Sequence, residues 1–259
     1  MLTSNVIPTA ALWRHLRERT ATVSVEGERP RLQLSMNHVV GVSLNVAIVG
    51  SCTPTRQCRE SCYALRGMIA WTNAVRVQAR NLLRLQQLEH ASIDVVRDEA
   101  AWVAGEVRRR GFDVLRINGS GDLVPGTVRL VNELSRRHRW LQLWIATRKP
   151  ALAARIVRRQ NVAVMLSADR TTTAASWSAL LSLRRRGRGR VFLSYLRVSP
   201  EPVPVPVDLI FNEHVGHVKR DLPADPRTCP KTIVGAMSKA ACLTCRRCWR
   251  SEDLRWSVD

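Results

Sequence analysis

Cysteine is the residue type in this chain whose spacing most clearly suggests chemistry. The seven cysteines form one group of three and one group of four: Cys52, Cys58 and Cys62, and Cys229, Cys242, Cys245 and Cys248. An odd cysteine count, in a chain whose N-terminal sequence lacks the apolar core of a signal peptide, argues against a disulfide framework. We therefore expect a cytoplasmic protein that uses its thiols for metal or redox chemistry.

The first group has the spacing Cys-x5-Cys-x3-Cys and is followed at once by Tyr63. Three thiolates on one loop can ligate three irons of a 4Fe-4S cluster and leave the fourth iron open to a small molecule. A zinc ion with a fourth ligand from elsewhere in the chain is one alternative. Unligated thiols are another, since spacing alone does not separate these cases.

The second group has a compact Cys-x2-Cys-x2-Cys run, preceded by Cys229, which is followed by Pro230. This spacing is close to that of ferredoxins, in which four thiolates complete a 4Fe-4S cluster. Zinc also accepts four thiolates, so it stays the alternative at this site, although paired Cys-x2-Cys motifs are its more usual ligands.

The elements that must position these thiols follow a regular pattern. Six short apolar runs predict strands at 41–49, 113–118, 141–146, 162–167, 190–196 and 207–212. Helical patterns precede them at 9–19 and alternate with them at 68–90, 93–110, 126–139, 150–159 and 173–186. This alternation predicts an α/β fold with a parallel sheet buried on both faces. Six strands are too few for a closed eight-stranded barrel, which leaves an open partial barrel or a doubly wound sheet.

Polar residues gather where three of the predicted strands end. These residues are Gly119, Ser120, Gly121 and Asp122, then Thr147 and Arg148, then Ser167 and Asp169. Ligands of parallel α/β folds bind at the carboxyl ends of the strands, and the three-cysteine loop leaves the first strand at that same edge. We therefore expect these side chains to surround the thiols. Asp122 has an alternative role as the cap of the helix that follows it.

The net charge is +20, from 41 basic residues against 21 acidic ones. Such an excess attracts polyanions, which makes a nucleic acid the expected partner. Arginine clusters stand at the ends of predicted helices, at 108–110, 136–139 and 184–190. Composition bias without any ligand is the alternative, and each cluster also complements a helix dipole. No stretch approaches the roughly 20 apolar residues that span a bilayer, so we expect no membrane partner.

A strand that ends in a three-cysteine loop, with an aromatic residue beside the last cysteine and a partial barrel downstream, resembles the radical S-adenosylmethionine superfamily. The usual loop of that superfamily is Cys-x3-Cys-x2-Cys, with the aromatic residue before the third cysteine. The chain more closely resembles a group of phage proteins, the gene product 88 family. The motifs that carry this resemblance are Cys58 to Ala64, Ser120-Gly121-Asp122 and the distal cysteine group.

The resemblance implies a six-stranded partial (β/α) barrel of the radical S-adenosylmethionine type and a small C-terminal iron-sulfur module. It implies that residues 119–122 receive the methionyl amino group, a role that a carboxylate beside glycines suits. Thr147 and Arg148 would meet the carboxylate of the cosubstrate, and Ser167 or Asp169 its ribose. The expected domains are an N-terminal helix and connector (1–35), the barrel (36–218) and the four-cysteine module (219–259).

The function that this resemblance implies is reductive cleavage of S-adenosylmethionine at the first of two 4Fe-4S clusters. The product would be a 5'-deoxyadenosyl radical, and a flavodoxin or ferredoxin would supply the electron. The positive charge makes a nucleic acid or nucleotide the expected substrate. One alternative is a non-catalytic iron-sulfur or zinc protein that binds nucleic acid on the same scaffold. Another is a radical enzyme that modifies a peptide.

Overall fold

The fold is described from a computed structural model, which covers residues 9–23, 31–37, 39–65, 70–187, 190–204, 206–215, 218–219, 222–223, 225–230, 241–246 and 248. The strands are β1 (Ser35–Asn37), β2 (Gly41–Leu44), β3 (Val114–Ile117), β4 (Gln142–Thr147), β5 (Val162–Asp169), β6 (Val191–Arg197), β7 (Leu209–Asn212), β8 (His214–Val215) and β9 (Val218–Lys219). The helices are α1 (Thr9–Ala21), α2 (Ile48–Ser51), α3 (Arg56–Glu60), α4 (Thr72–His90), α5 (Ile93–Arg109), α6 (Pro125–Arg137), α7 (Pro150–Ala153), α8 (Ala174–Arg186) and α9 (Ala241–Cys245), with a 3-10 turn at Tyr63–Leu65.

The predicted α/β class is confirmed: seven strands form one mostly parallel sheet in the order β1-β2-β3-β4-β5-β6-β7. Strands β2 to β7 are the six predicted ones, and each is parallel to its neighbour. Their order follows the chain without the reversal that marks a doubly wound sheet. The short β1 pairs antiparallel with β2, and its sequence Ser-Met-Asn has no apolar run that could have predicted it.

Helices α4, α5 and α6 pack on one face of the sheet, which we call the outer face, through fully buried side chains such as Leu85, Val103 and Leu130. The opposite face is the inner face. The approach of α4 to α6 depends on Gly126, because a Cβ there would collide with the carbonyl group of Leu85, whose carbon would lie only 2.7 Å away. Ser92 caps α5, since its side chain accepts a hydrogen bond from Val95 N at the start of the helix.

Two predicted elements differ in length from those in the structure. The first predicted strand extends to residue 49, but β2 ends at Leu44, and Gly50 in the following turn has φ +87°. The predicted helix 150–159 is wrong beyond Ala153. Asn132 on α6 donates to the carbonyl of Arg155 at 3.2 Å and accepts from the amide of Val157 at 2.8 Å, so it binds backbone groups that a longer helix would use itself.

The inner face of the sheet has its own apolar cluster, formed by Val40, Val114, Trp144, Ala163, Met165, Phe192 and Leu209. Cys229, Cys242 and Cys248 pack against this cluster. Cys229 N also donates to the carbonyl of Ile210 on β7 at 2.7 Å. The four-cysteine segment therefore contacts the inner face of the sheet directly. In the described part of the chain, no helix is long and apolar enough to cross a membrane.

Candidate functional site

The three-cysteine loop is built from short elements that follow β2. The turn of α2 ends at Cys52, whose amide donates to Ile48 O at 3.0 Å. Thr55 then caps α3 by accepting from the amide of Cys58 at 3.2 Å, which fixes Cys58 in the first turn of α3. Cys62 immediately precedes the 3-10 turn. The cap explains how a loop with wide cysteine spacing holds a defined shape.

All three thiols of this loop are half-buried, and electrostatic interaction couples them. Burial raises the pKa of Cys52 to about 12, with a further contribution from the carboxylate of Asp122. Burial and the neighbouring Cys58 raise the pKa of Cys62 to about 11. The pKa of Cys58 is also raised by burial, although the Arg148 guanidinium opposes this. A bound cation would lower all three values, so these donors suit a thiophilic metal.

No disulfide joins any of the seven cysteines, all of which lie in described segments. Among the described residues, no set of three Cys, His, Asp or Glu side chains has an arrangement that could hold a single metal ion. In an iron-sulfur cluster each thiolate binds a different iron, so the requirement is different from that of a single ion. The thiols of the first group are close enough to affect one another's pKa.

Asp122 lies beside the thiols, and its carboxylate has three donors. Oδ1 accepts from Leu123 N at 2.7 Å and from Thr147 Oγ1 at 2.5 Å, and Oδ2 accepts from Arg148 N at 3.2 Å. Burial nevertheless raises the pKa of this carboxyl group. The N-cap residue of α6 is Val124, so Asp122 does not have the capping role that the sequence left open.

Of the other residues predicted for this site, Thr147 and Arg148 lie with Asp122. Arg148 Nη1 also lies 2.9 Å from Asp169 Oδ2, within a pair whose carboxylate is fully buried. Ser167 lies near the inner face of the sheet, with its Oγ 3.2 Å from that of Ser194. Residues 119–121 form the tight turn before Asp122, where Gly121 has φ +77°. A Cβ on Gly121 would come within 2.6 Å of the carbonyl oxygen of Val46.

Asp169 makes contacts that the sequence did not suggest. Its Oδ1 accepts from the amide and the hydroxyl of Thr171, at 2.9 and 2.8 Å. Its Oδ2 accepts from the hydroxyl of Thr55, which caps α3, as well as from Arg148. The backbone amide of Gln57 in α3 also donates to Thr171 Oγ1 at 2.9 Å. Asp169 therefore connects the three-cysteine loop to the end of β5.

The family model named Gene product 88 matches residues 13–251, which include the sheet and both cysteine groups. The chain belongs to the Gene product 88 family. The resemblance to this family that the sequence suggested is thus confirmed. Comparisons with curated proteins and with solved structures gave no match.

In this Gene product 88 protein, α1 covers the three-cysteine loop. Trp13 is buried, and its Nε1 donates to the carbonyl of Arg59 at 3.3 Å. Trp13 and Leu16 belong to an apolar cluster against which Cys52 and Cys62 pack. The amphipathic pattern of this helix was visible in the sequence, but nothing local indicated which surface it covers.

Three further polar residues on or just after β2 and β3 were missed: Ser43, Asn45 and Arg116. Buried oxygens of Ser43, Asn45 and Asn118 lack a hydrogen-bond partner within the described residues. Ser43 pairs in register with Arg116, whose guanidinium carbon lies 4.7 Å from the ring centroid of Trp144. The period-two alternation of polar residues in Val-Ser-Leu-Asn and Leu-Arg-Ile-Asn is the signal that could have found them.

Arg116 interacts electrostatically with Tyr63, the residue after Cys62, and with Cys248 of the distal cysteine group. Burial of the hydroxyl group raises the pKa of Tyr63, and the positive charge of Arg116 lowers it. This hydroxyl donates to the carbonyl of Gly119, although Tyr63 as a whole is 45% exposed. Arg116 also opposes the raised pKa of Cys248, which is caused first by burial and then by Cys229, Cys242 and Cys245. The four distal thiols therefore lie near one another.

Proposed function

We propose that this protein is a radical S-adenosylmethionine enzyme whose 4Fe-4S cluster is held by Cys52, Cys58 and Cys62. The observation that carries the proposal is the convergence of three coupled thiols with a buried carboxylate, Asp122, at the carboxyl edge of a parallel sheet. Bound there, a cluster with an open iron would supply the electron that cleaves S-adenosylmethionine to methionine and a 5'-deoxyadenosyl radical. A flavodoxin or ferredoxin is the proposed source of that electron.

The proposed role of Asp122 is to accept hydrogen bonds from the cosubstrate ammonium group. Oδ1 already has two donors, but Oδ2 has only the 3.2 Å bond from Arg148 N, so acceptor capacity remains. Because the carboxyl group is buried, a charge-assisted bond there would be strong. Thr147 orients this carboxylate through its hydroxyl.

The proposed roles of Arg148, Ser167 and Asp169 follow from their contacts. Arg148 keeps its Nη1 on Asp169, so only the rest of its guanidinium is available for a ligand carboxylate. Ser167 is the proposed ribose contact. Asp169 is a positioning residue, since all four donor groups that contact its carboxylate belong to the protein.

We further propose that the six parallel strands form the partial barrel of this superfamily, and that the distal cysteines hold a second 4Fe-4S cluster. The packing of Cys229, Cys242 and Cys248 on the inner apolar cluster supports a role at the barrel interior. Zinc at this second group is the competing assignment. A nucleic acid or a nucleotide is the proposed substrate, on the basis of the charge of +20.

The proposal is tested by anaerobic reconstitution and measurement of iron, sulfide and zinc per chain. We expect about eight irons in the wild type and about four in either Cys58→Ala or Cys245→Ala. Added S-adenosylmethionine should change the electron paramagnetic resonance signal of the reduced wild type and of Cys245→Ala. Asp122→Asn should weaken this response, whereas Asp94→Asn, at an exposed carboxylate of α5, should not.

Three results would point elsewhere. A folded protein that contains zinc and no iron would refute a 4Fe-4S cluster at the three-cysteine loop. Iron binding without any response to S-adenosylmethionine would favour the non-catalytic nucleic-acid-binding protein. Formation of 5'-deoxyadenosine by a protein that binds no nucleic acid would favour the peptide-modifying enzyme.

A further inference from the structure

The helices that connect the parallel strands end at the edge of the sheet opposite the three-cysteine loop. Helix α5 precedes the start of β3, α6 that of β4, α7 that of β5 and α8 that of β6. All four connections carry arginines. We call six of them the arginine strip: Arg108, Arg139, Arg155, Arg158, Arg185 and Arg190.

The four connections are neighbours, because β3, β4, β5 and β6 are consecutive in the sheet. Contacts join them directly. The guanidinium of Arg108 lies 4.5 Å from the ring centroid of Trp140 in the next connection. Asn161, before β5, donates to His138 O at 3.3 Å, and Val164 on β5 donates to Arg190 O at 2.9 Å. The strip is therefore one continuous surface.

The strip has an unbalanced charge. Other arginines at this edge pair with carboxylates: Arg109 with Glu106, Arg136 and Arg137 with Glu133, and Arg184 with Asp208. None of the six strip arginines has an ion pair with a described carboxylate. Five of them are exposed: Arg108, Arg139, Arg155, Arg158 and Arg185.

Helix dipoles do not account for the strip. They favour cations in the last turn of a helix, where Arg108 and Arg185 lie. Arg139, Arg155, Arg158 and Arg190 lie after the ends of their helices, in the connections that lead into the next strand. A dipole effect that is strongest within the last turn gives little reason for these four.

We propose that the arginine strip binds the phosphodiester backbone of a nucleic acid. Adjacent helices pack about 10 Å apart, so four connections span roughly 30 Å, or about nine nucleotides at 3.4 Å each. The planar, bidentate guanidinium suits phosphate oxygens. An anionic membrane fits less well, because Val157 is the only large apolar side chain that is exposed among the described residues of these connections, whereas others, such as Trp71 and Trp102, lie elsewhere.

This inference deepens the nucleic-acid part of the proposed function and rests on it for the identity of the substrate class. The strip binds through residues at the opposite edge from the three cysteines. Strand β5, with eight residues, crosses the sheet between these edges, a distance of about 23 Å. A mononucleotide at the cysteine loop therefore cannot also contact the strip, whereas a longer strand can.

The test compares two triple variants with equal loss of charge. The strip variant combines Arg139→Gln, Arg158→Gln and Arg185→Gln. The control combines Arg14→Gln, Arg17→Gln and Arg76→Gln, at exposed arginines of α1 and α4. Fluorescence anisotropy with a labelled 20-nucleotide strand and a 20-base-pair duplex gives the affinity as salt is varied. Matching thermal unfolding midpoints check that both variants fold.

For the strip variant, we expect the plot of log affinity for duplex DNA against log salt concentration to be less steep by about 2.7, which is about 0.9 for each of three lost phosphate contacts. We expect the affinity at 0.1 M salt to fall about 100- to 1,000-fold. The control should keep the wild-type slope. Lysine at the same three strip positions should also keep the slope, because the charges remain. An equal loss of affinity in both glutamine variants, or a wild type that binds neither nucleic acid measurably, would overturn the proposal that the strip binds nucleic acid.

Two further measurements separate this inference from the proposed function. Cys58→Ala should bind nucleic acid as the wild type does while it loses iron from the first cluster. The strip variant should keep its spectroscopic response to S-adenosylmethionine. Binding to phosphatidylserine vesicles that depends on the strip, without binding to either nucleic acid, would replace the nucleic acid by an anionic membrane and so refute the assignment.

Discussion

Replacement of Asp169 by asparagine should weaken the contacts that hold the three-cysteine loop and leave the rest of the fold intact. The amide oxygen can still accept the two bonds from Thr171, at 2.9 and 2.8 Å. The amide nitrogen would face the hydroxyl of Thr55 and the guanidinium of Arg148, both of which are donors in the wild type. The substitution therefore removes the bonds on one side of the carboxylate and keeps those on the other.

The expected cost follows from the burial of this pair. Asp169 is fully buried and the side chain of Arg148 is only 14% exposed, so the remaining guanidinium would be largely desolvated without its partner. Removal of one member of a buried ion pair costs about 3 to 5 kcal/mol. Because asparagine keeps two bonds, we expect about 3 kcal/mol, which lowers the unfolding midpoint of a chain of this size by roughly 6 to 12 °C.

Urea and thermal unfolding of the metal-free protein give this free energy, and iron analysis after reconstitution gives the effect on the loop. We expect Asp169→Asn to lose iron from the first group while it keeps the iron of the second. Asp208→Asn is the matched control, since it breaks an Arg184 pair of 2.5 Å at the edge of the sheet opposite the three-cysteine loop. Arg184 is 28% exposed and can regain water, so this control should be less destabilised and fully loaded.

The double variant Arg148→Met with Asp169→Asn tests the pairing itself. It should be less destabilised than the sum of the two single variants, because no buried charge remains alone. Unfolding of Asp169→Asn at the wild-type midpoint, together with full iron in the first group, would refute the positioning role of Asp169.

Further predictions concern three other residues. Gly126→Ala should destabilise the protein by about 1 to 3 kcal/mol in urea unfolding, since α4 and α6 must separate, whereas Gly105→Ala, with open space around the Cβ, should not. Trp13→Ala should cost about 3 to 5 kcal/mol and speed the loss of iron from the first group in air, with no such change at the second. The pKa of His138 is lowered by burial and by Arg108 and Arg137. A nucleic acid on the strip would offset those charges and raise this pKa, so affinity should increase as pH falls from 7.5 to 6, and His138→Gln should remove that increase.

Sequence alone predicted the parts of the fold that depend on local patterns. The six apolar runs predicted β2 to β7 because strands of a parallel sheet that is covered on both faces are mostly apolar. Helix α7 was overestimated because its length depends on Asn132, a side chain of another helix. The strand β1 was missed because its three residues form no apolar pattern, and only its pairing with β2 defines it.

The candidate site was predictable in position but not in its contacts. The rule that ligands gather at the carboxyl ends of parallel strands brought Asp122, Thr147 and Arg148 together correctly. It gave no indication that the carboxylate of Asp169 accepts from Thr55, Thr171 and Arg148. Thr55 is 114 residues away from Asp169 along the chain, and no local pattern records such a contact.

The sequential order of the strands has a consequence for folding. Each parallel strand pairs with the next one along the chain, so the sheet can grow in steps as the chain is synthesised, with modest loop-closure cost at each step. The contacts that complete the two cysteine groups are different. The side-chain amide of Gln57 donates to the carbonyl of Leu196, 139 residues later in the chain, and the guanidinium of Arg246 donates to the carboxylate of Asp113, 133 residues earlier. We therefore expect the sheet to be largely assembled before either group of thiols takes its final arrangement.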